Sequence, residues 1–166
     1  LINIFKEIAD IKYGLKDYQG AIEYYSKVIE IDPKDKVLYL RRSYAKEQLN
    51  DYQGAIEDYS IAIEIDPHDK DAYLSRSSIK AKLNDDNGAI EDCSIAIEIN
   101  PNNSAYVQRG RIKAYFNDFI GAINDYSKAI EIYPEDPIAY AKRGIAKFDL
   151  DDFQGSIEDC TKSIIK

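Results

Sequence analysis

The chain contains no methionine, one histidine, two cysteines and no long apolar run, and each shortage closes off a class of function. With His68 alone, no catalytic triad and no histidine-rich metal site can be assembled, and His68 reads as a surface residue. Cys93 and Cys160 are too few for a disulfide framework, and the sequence points to a reducing, cytoplasmic setting. The densest apolar runs are short, such as Ile138 to Ala141, far from the roughly 18 residues of a membrane helix. No Lys/Arg block offsets a net charge of -8 and a pI near 4.7, so nucleic-acid phosphates would be repelled. No phosphate-binding glycine loop or nucleophile elbow occurs. The acidic run from Asn84 to Asp92 fails as a calcium loop, because with Gly88 at the turn the first and last ligands would be Leu83 and Ser94. Neither a metal, a cofactor nor a catalytic residue is expected. The absent methionine and a start at Leu1 inside a helical pattern point to a fragment or processed product, so a missing signal peptide decides nothing.

What is present is a repeat. Glycine followed by a small residue recurs at Gly20, Gly54, Gly88, Gly121 and Gly155, in steps of 34, 34, 33 and 34 residues, and Pro33, Pro67, Pro101 and Pro134 follow the same steps. The short step places one deleted residue in the turn around Asn102 to Ser104, where a loss is tolerated. Each repeat carries two stripes at helical spacing, in the second repeat Tyr39, Arg42, Ser43, Lys46 and Leu49, then Ala55, Ile56, Tyr59, Ala62, Ile63 and Ile65. Asp17, Asp51, Asp85, Asp118 and Asp152 stand where a helix start needs an oxygen for exposed amides. The prolines close each second helix, Asp35, Asp69, Asn103 and Asp136 start the next, and Pro137 suits a first turn.

One amphipathic pair cannot bury its own face, so the pairs must stack into an all-α solenoid. Ala21, Ala55, Ala89, Ala122 and Ser156 mark close backbone approach in the second helices, as do Val28, Ala62, Ala96, Ala129 and Ser163. Ala9, Ser43, Ser77, Gly110 and Gly144 do so in the first helices. Phe5, Tyr39, Tyr73, Tyr106 and Tyr140 are read as filling the core, together with Leu15, Leu49, Leu83, Phe116 and Leu150. Cys93 and Cys160 replace stripe tyrosines and are read as small buried hydrophobes, two repeats apart and too distant for a disulfide.

With its 34-residue period, aromatic helix starts, small-residue ladders and closing prolines, the whole chain resembles the tetratricopeptide-repeat (TPR) family. Five repeats are expected, about 2–35, 36–69, 70–102, 103–136 and 137–166, in a single 1–166 array. It departs from the family pattern where leucine is usual and Arg42, Arg76, Arg109 and Arg143 stand, and where a tyrosine is usual and Lys12, Lys46, Lys80, Lys113 and Lys147 stand. The resemblance implies a right-handed superhelix, no catalysis, and a groove lined by first helices that binds peptides or partner helices. On that reading the groove residues are Leu40, Arg41, Tyr44, Leu74, Lys82, Val107, Arg111, Tyr115, Lys142 and Phe148, with Lys6, Asp10 and Tyr13 on the same face of the first repeat. The aromatic and aliphatic members anchor a ligand, and Arg41, Arg111, Lys82 and Lys142 orient acidic side chains. The clamp by which one subgroup grips chaperone C-termini is missing. Its positions read Lys6, Asp10, Arg41, Asp71 and Ser75, or one repeat later Leu40, Tyr44, Ser75, Ser104 and Gln108, or later again Leu74, Ser78, Gln108, Ile138 and Lys142.

An arginine repeated on a packing face needs a partner, and the second helices offer Asp58, Asp92, Asp125 and Asp159. The first repeat loses both charges together, with Ile8 and Tyr24 in the two slots. Pairing within repeats follows: Arg42 with Asp58, Arg76 with Asp92, Arg109 with Asp125, Arg143 with Asp159. The competing reading is four exposed, unrelated charges. The lysine ladder is expected to lay its stems on this face with the ammonium in water. A scaffold for a protein or peptide ligand is therefore the leading function, against a regulatory or targeting module of a larger enzyme. Ile157, Ile164 and Ile165 are left partly unprotected at the last repeat, which points to further repeats or to end-to-end association between molecules.

Overall fold

The computed structural model describes residues 1–164 and forms two compact units, Leu1–Leu83 and Asn84–Lys166. The first holds α1 (Ile2–Gly14), α2 (Tyr18–Ile31), α3 (Lys36–Gln48), α4 (Tyr52–Ile65) and α5 (Lys70–Lys82). The second holds α6 (Asp86–Ile99), α7 (Asn103–Tyr115), α8 (Phe119–Ile132), α9 (Pro137–Phe148) and α10 (Phe153–Ile164). No strand occurs among the described residues. Within each unit consecutive helices pack on one another, α1 through α5 and α6 through α10, so the architecture is all-α and built from helix pairs.

The turn inside each pair has one design. Asp17, Asp51, Asp85 and Asp118 accept from the amides of Gly20, Gly54, Gly88 and Gly121, and Asp152 accepts from Gly155. A side chain on any of these glycines would meet the capping carboxylate oxygen at 2.1–2.3 Å, so the glycine makes room for the cap. The left-handed residue of the turn is Lys16, Asn50, Asn84, Asn117 or Asp151, three of them asparagine, which tolerates this conformation well.

Between pairs Asp35, Asp69 and Asp136 cap the next helix, and Pro137 occupies its first turn. The deletion moves one expected cap. Asn102, not Asn103, accepts from the Ala105 amide and starts α7, while Asn103 is already helical and donates to Asp136 Oδ2 at 2.9 Å.

The alanine ladders are fully buried, and Ser43 and Ser77 lie at the same depth. Tyr25, Tyr59 and Tyr126 fill the space between them. Two sequence expectations change. Leu15, Leu49, Leu83 and Leu150 are exposed: the first three are the residues just past the helix and Leu150 follows Asp149 in the same turn, so they point away from the core. Cys160 is exposed as well, whereas Cys93 is buried. No helix of the described residues is long and apolar enough to cross a membrane. Ile165 lies outside the described residues.

Candidate binding site

The repeated charges form a structural clamp. Arg42 Nε and Nη2 donate to the two oxygens of Asp58 at 2.9 and 2.7 Å, and Nη1 donates to Ser26 Oγ, on the preceding pair, at 2.9 Å. Its guanidinium lies 5.6 Å from the Tyr39 ring. The same assembly recurs as Arg109 with Asp125, Ser94 and Tyr106, and as Arg143 with Asp159, Ser127 and Tyr140. Arg76 likewise donates to Ser60 Oγ at 2.9 Å and covers Tyr73. Arg76 belongs to the first unit and Asp92 to the second.

The lysines depart from expectation. Lys46, Lys113 and Lys147 place their ammonium groups 2.9, 2.9 and 2.7 Å from Asp58, Asp125 and Asp159. Each lysine sits one turn after its arginine, so both cations reach one buried carboxylate, and water is not the ammonium's main partner. Burial alone would raise the Asp159 pKa, but Arg143 and Lys147 outweigh it and hold the group below its ordinary value. The first repeat lacks the clamp, and Lys12 turns to the cap of its own turn, Asp17, at 2.6 Å.

Charge of a different kind lies on the other side of the first helices. In the first unit Asp10 and Tyr13 of α1, Tyr25 of α2, and Arg41 and Tyr44 of α3 line a cavity of about 160 Å³. The Tyr25 hydroxyl donates to Asp10 Oδ1 at 2.6 Å, and Arg41 Nη1 donates to the same oxygen. Burial first, then Asp10, pushes the Tyr25 phenol up to about 12. Tyr44 meets the buried Tyr59 edge-on at 5.8 Å, and Tyr59 donates to Glu47. Tyr13 packs edge-on against Tyr18 at 5.3 Å, and its own pKa is raised by burial, with Tyr18, Glu47 and Tyr44 adding to it.

The remaining groove candidates scatter in character. Leu40 and Val107 are half-buried against cores of their own units. Leu74 is half-buried too. Lys82 lies 5.2 Å above the Tyr52 ring, at the start of α4. In the second unit Arg111 is exposed and Lys142 half-buried. Tyr115 and Phe148 are exposed and pair edge-on with Phe116 and Phe153 at 5.0 and 5.5 Å. Sequence reading missed Tyr25 and Glu47, because a tyrosine on a core stripe gives no sign that its hydroxyl emerges at a groove carboxylate. Among the described residues no group of three or more His, Cys, Asp or Glu could hold a metal ion.

The tetratricopeptide-repeat family model matches residues 7–35 and 37–69, and a TPR-repeat model matches 104–151, together more than half the chain. The chain belongs to the TPR family. No curated protein matches its sequence. Among solved structures, a MamA protein is 25% identical with a TM-score of 0.88, over 98% of this chain and 90% of that one. MamA from Desulfovibrio magneticus RS-1 is 18% identical with a TM-score of 0.88, over 98% and 93%. YrrB, described as a TPR protein with an unusual peptide-binding site, is 19% identical with a TM-score of 0.77, over 96% and 83%. The likenesses share the all-α TPR fold, and the family matches make the chain one of a family of protein-interaction scaffolds.

Proposed function

We propose that this TPR chain works as one array over residues 1–166 and grips a peptide or protein segment along the outer faces of its first helices, with no catalytic step. The observation that carries this reading is the cavity between α1 and α3. There an otherwise regular array gathers three tyrosines, a carboxylate and a guanidinium at a surface that the stacking of repeats does not need. The peptide-binding site attributed to YrrB is in keeping with it. Tyr44, Tyr115 and Phe148 supply exposed aromatic area of the kind that dominates binding energy at interfaces. The test is affinity capture with the chain and with a variant carrying Tyr44→Ala, Arg111→Ala and Tyr115→Ala. Loss of the captured segment is expected, and equal capture by the variant overturns the reading.

A second reading concerns self-association. Ile4 and Ile11 on α1 are exposed, although their counterparts one repeat on, Leu38 and Ala45, are buried, and Ile157 and Ile164 on α10 are exposed too. Stacking α1 of one copy on α10 of another covers both faces in a heterologous, open-ended contact. Sedimentation should then depend on concentration for the native chain and not for an Ile4→Asp, Ile157→Asp variant.

A further inference from the structure

We infer that the cavity between α1 and α3 is a subsite for a basic side chain of the bound segment, an arginine above all, held between the Tyr13 and Tyr44 rings and against the Asp10 carboxylate. This rests on the peptide-binding reading and specifies the ligand's chemistry.

Three observations carry it. First, the charge is already settled against an acidic ligand. The Arg41 guanidinium is engaged by Asp10, so the two cancel, and Glu47 beside Tyr13 and Tyr44 leaves an excess of one negative charge at the cavity. An incoming carboxylate would face Asp10 and Glu47, with the Arg41 guanidinium already engaged by Asp10 and the Lys6 ammonium by Asp35. On this proposal Arg41 holds Asp10 in place of an acidic ligand group.

Second, the acceptor is half used. Tyr25 and Arg41 both donate to Asp10 Oδ1, and no hydrogen bond to Oδ2 occurs among the described residues. A carboxylate oxygen with open lone pairs in a partly desolvated cavity favours a charged donor.

Third, the chain recognises guanidinium by this same recipe in its own interior. Arg42, Arg109 and Arg143 each combine a tyrosine face at 5.6 Å with an aspartate fork. The cavity brings the Tyr13 and Tyr44 rings and a carboxylate together, no cation lies over either ring among the described residues, and a cation over tyrosine is favourable. A cavity of about 160 Å³ accommodates one side chain end, not a folded partner.

The test is an NMR titration of the intact chain with acetyl-Gly-Arg-Gly-amide, its glutamate counterpart and its phenylalanine counterpart, read on the Tyr13 and Tyr44 ring signals. The arginine probe is expected to shift both and saturate in the millimolar range, more weakly at high salt. Asp10→Asn should weaken it about tenfold, as the loss of a charged hydrogen bond does. Tyr44→Leu, at an exposed ring, should weaken it without unfolding the chain. If the glutamate or phenylalanine probe shifts the rings as strongly as the arginine probe, or if Asp10→Asn leaves the arginine probe unaffected, the basic-side-chain inference falls while the groove stands. If no probe moves either ring, this cavity is not a subsite, and the capture experiment above then decides the groove separately.

Discussion

The two units share the small-residue and tyrosine ladders of their interior and differ on the outer faces of their first helices. In the first unit the slot of Asp10 is taken in the following repeats by Tyr44 and Ser78, and the slot of Tyr13 by Glu47 and Ala81. In the second unit those slots hold Arg111 and Ile145, and Ala114 and Phe148. Two buried stripe tyrosines of the first unit, Tyr25 and Tyr59, each end on a carboxylate. The equivalent Tyr126 of the second unit has Arg111 near it, which lowers a phenol pKa that burial pushes up to about 12. Stacking fixes the inner slots, because a wrong volume or an unpaired charge there is costly. The outer slots carry no such constraint and are free to differ, as Asp10, Tyr44 and Glu47 differ from Arg111, Ile145 and Phe148.

The largest test of that contrast pits two aspartates against each other. Asp125 is buried and held by Arg109 and Lys113, so Asp125→Ala should cost roughly 3 to 5 kcal/mol by leaving two cations without their partner. Asp10 is exposed, and Asp10→Ala should cost about 1 to 2 kcal/mol, mostly for the hydrogen bond it accepts from Tyr25. Arg109→Ala should fall between the two, since Lys113 remains on Asp125, and Arg41→Ala should barely register. Denaturant melts of the four variants check the order, and equal small effects would return the arginines to the class of unrelated surface charges.

A middle-sized effect is expected at high pH. Tyr25 and Tyr126 both have a folded pKa pushed up to about 12. Above about pH 10 the unfolded chain ionises these phenols while the folded chain keeps its protons, so the unfolded state binds fewer protons and stability falls. The contribution is complete below about pH 10 and is lost as pH rises to about 12, at up to about 1.4 kcal/mol per pH unit for each tyrosine. Melting curves taken from pH 9 to 12 should show the loss, reduced in Tyr25→Phe and in Tyr126→Phe.

The smallest effect sharpens the comparison most. At neutral pH, Tyr25→Phe removes a hydrogen bond to a carboxylate and should cost about 1 kcal/mol or slightly more. Tyr126→Phe, at the same register beside an arginine, should cost less. Equal costs would mean that the outer charge does not reach the stripe tyrosines.

The period was legible because every stacked pair must present the same shape to its neighbour, so size and spacing repeat in plain view. The arginine and aspartate ladders were legible for a related reason: in the first repeat they disappear together. Other contacts were hidden by the same helical geometry. Lys46 follows Arg42 by one turn, and nothing in the spacing says that both cations converge on Asp58. Leu49 continues an apolar stripe on paper, yet the helix has already ended at Gln48 and the side chain turns outward. Asn102 took the capping place from Asn103 because the deletion shortened the turn. Tyr25 was legible as core and illegible as part of a site, since its ring serves one purpose and its hydroxyl another.

The turn inside each pair ties two positions of the sequence to one fate. The aspartate folds its oxygen into the space where a methyl group would stand, so an alanine at the glycine three residues on would force that carboxylate to swing aside. Losing the aspartate frees that space, so the glycine's benefit to the turn depends on the cap being kept.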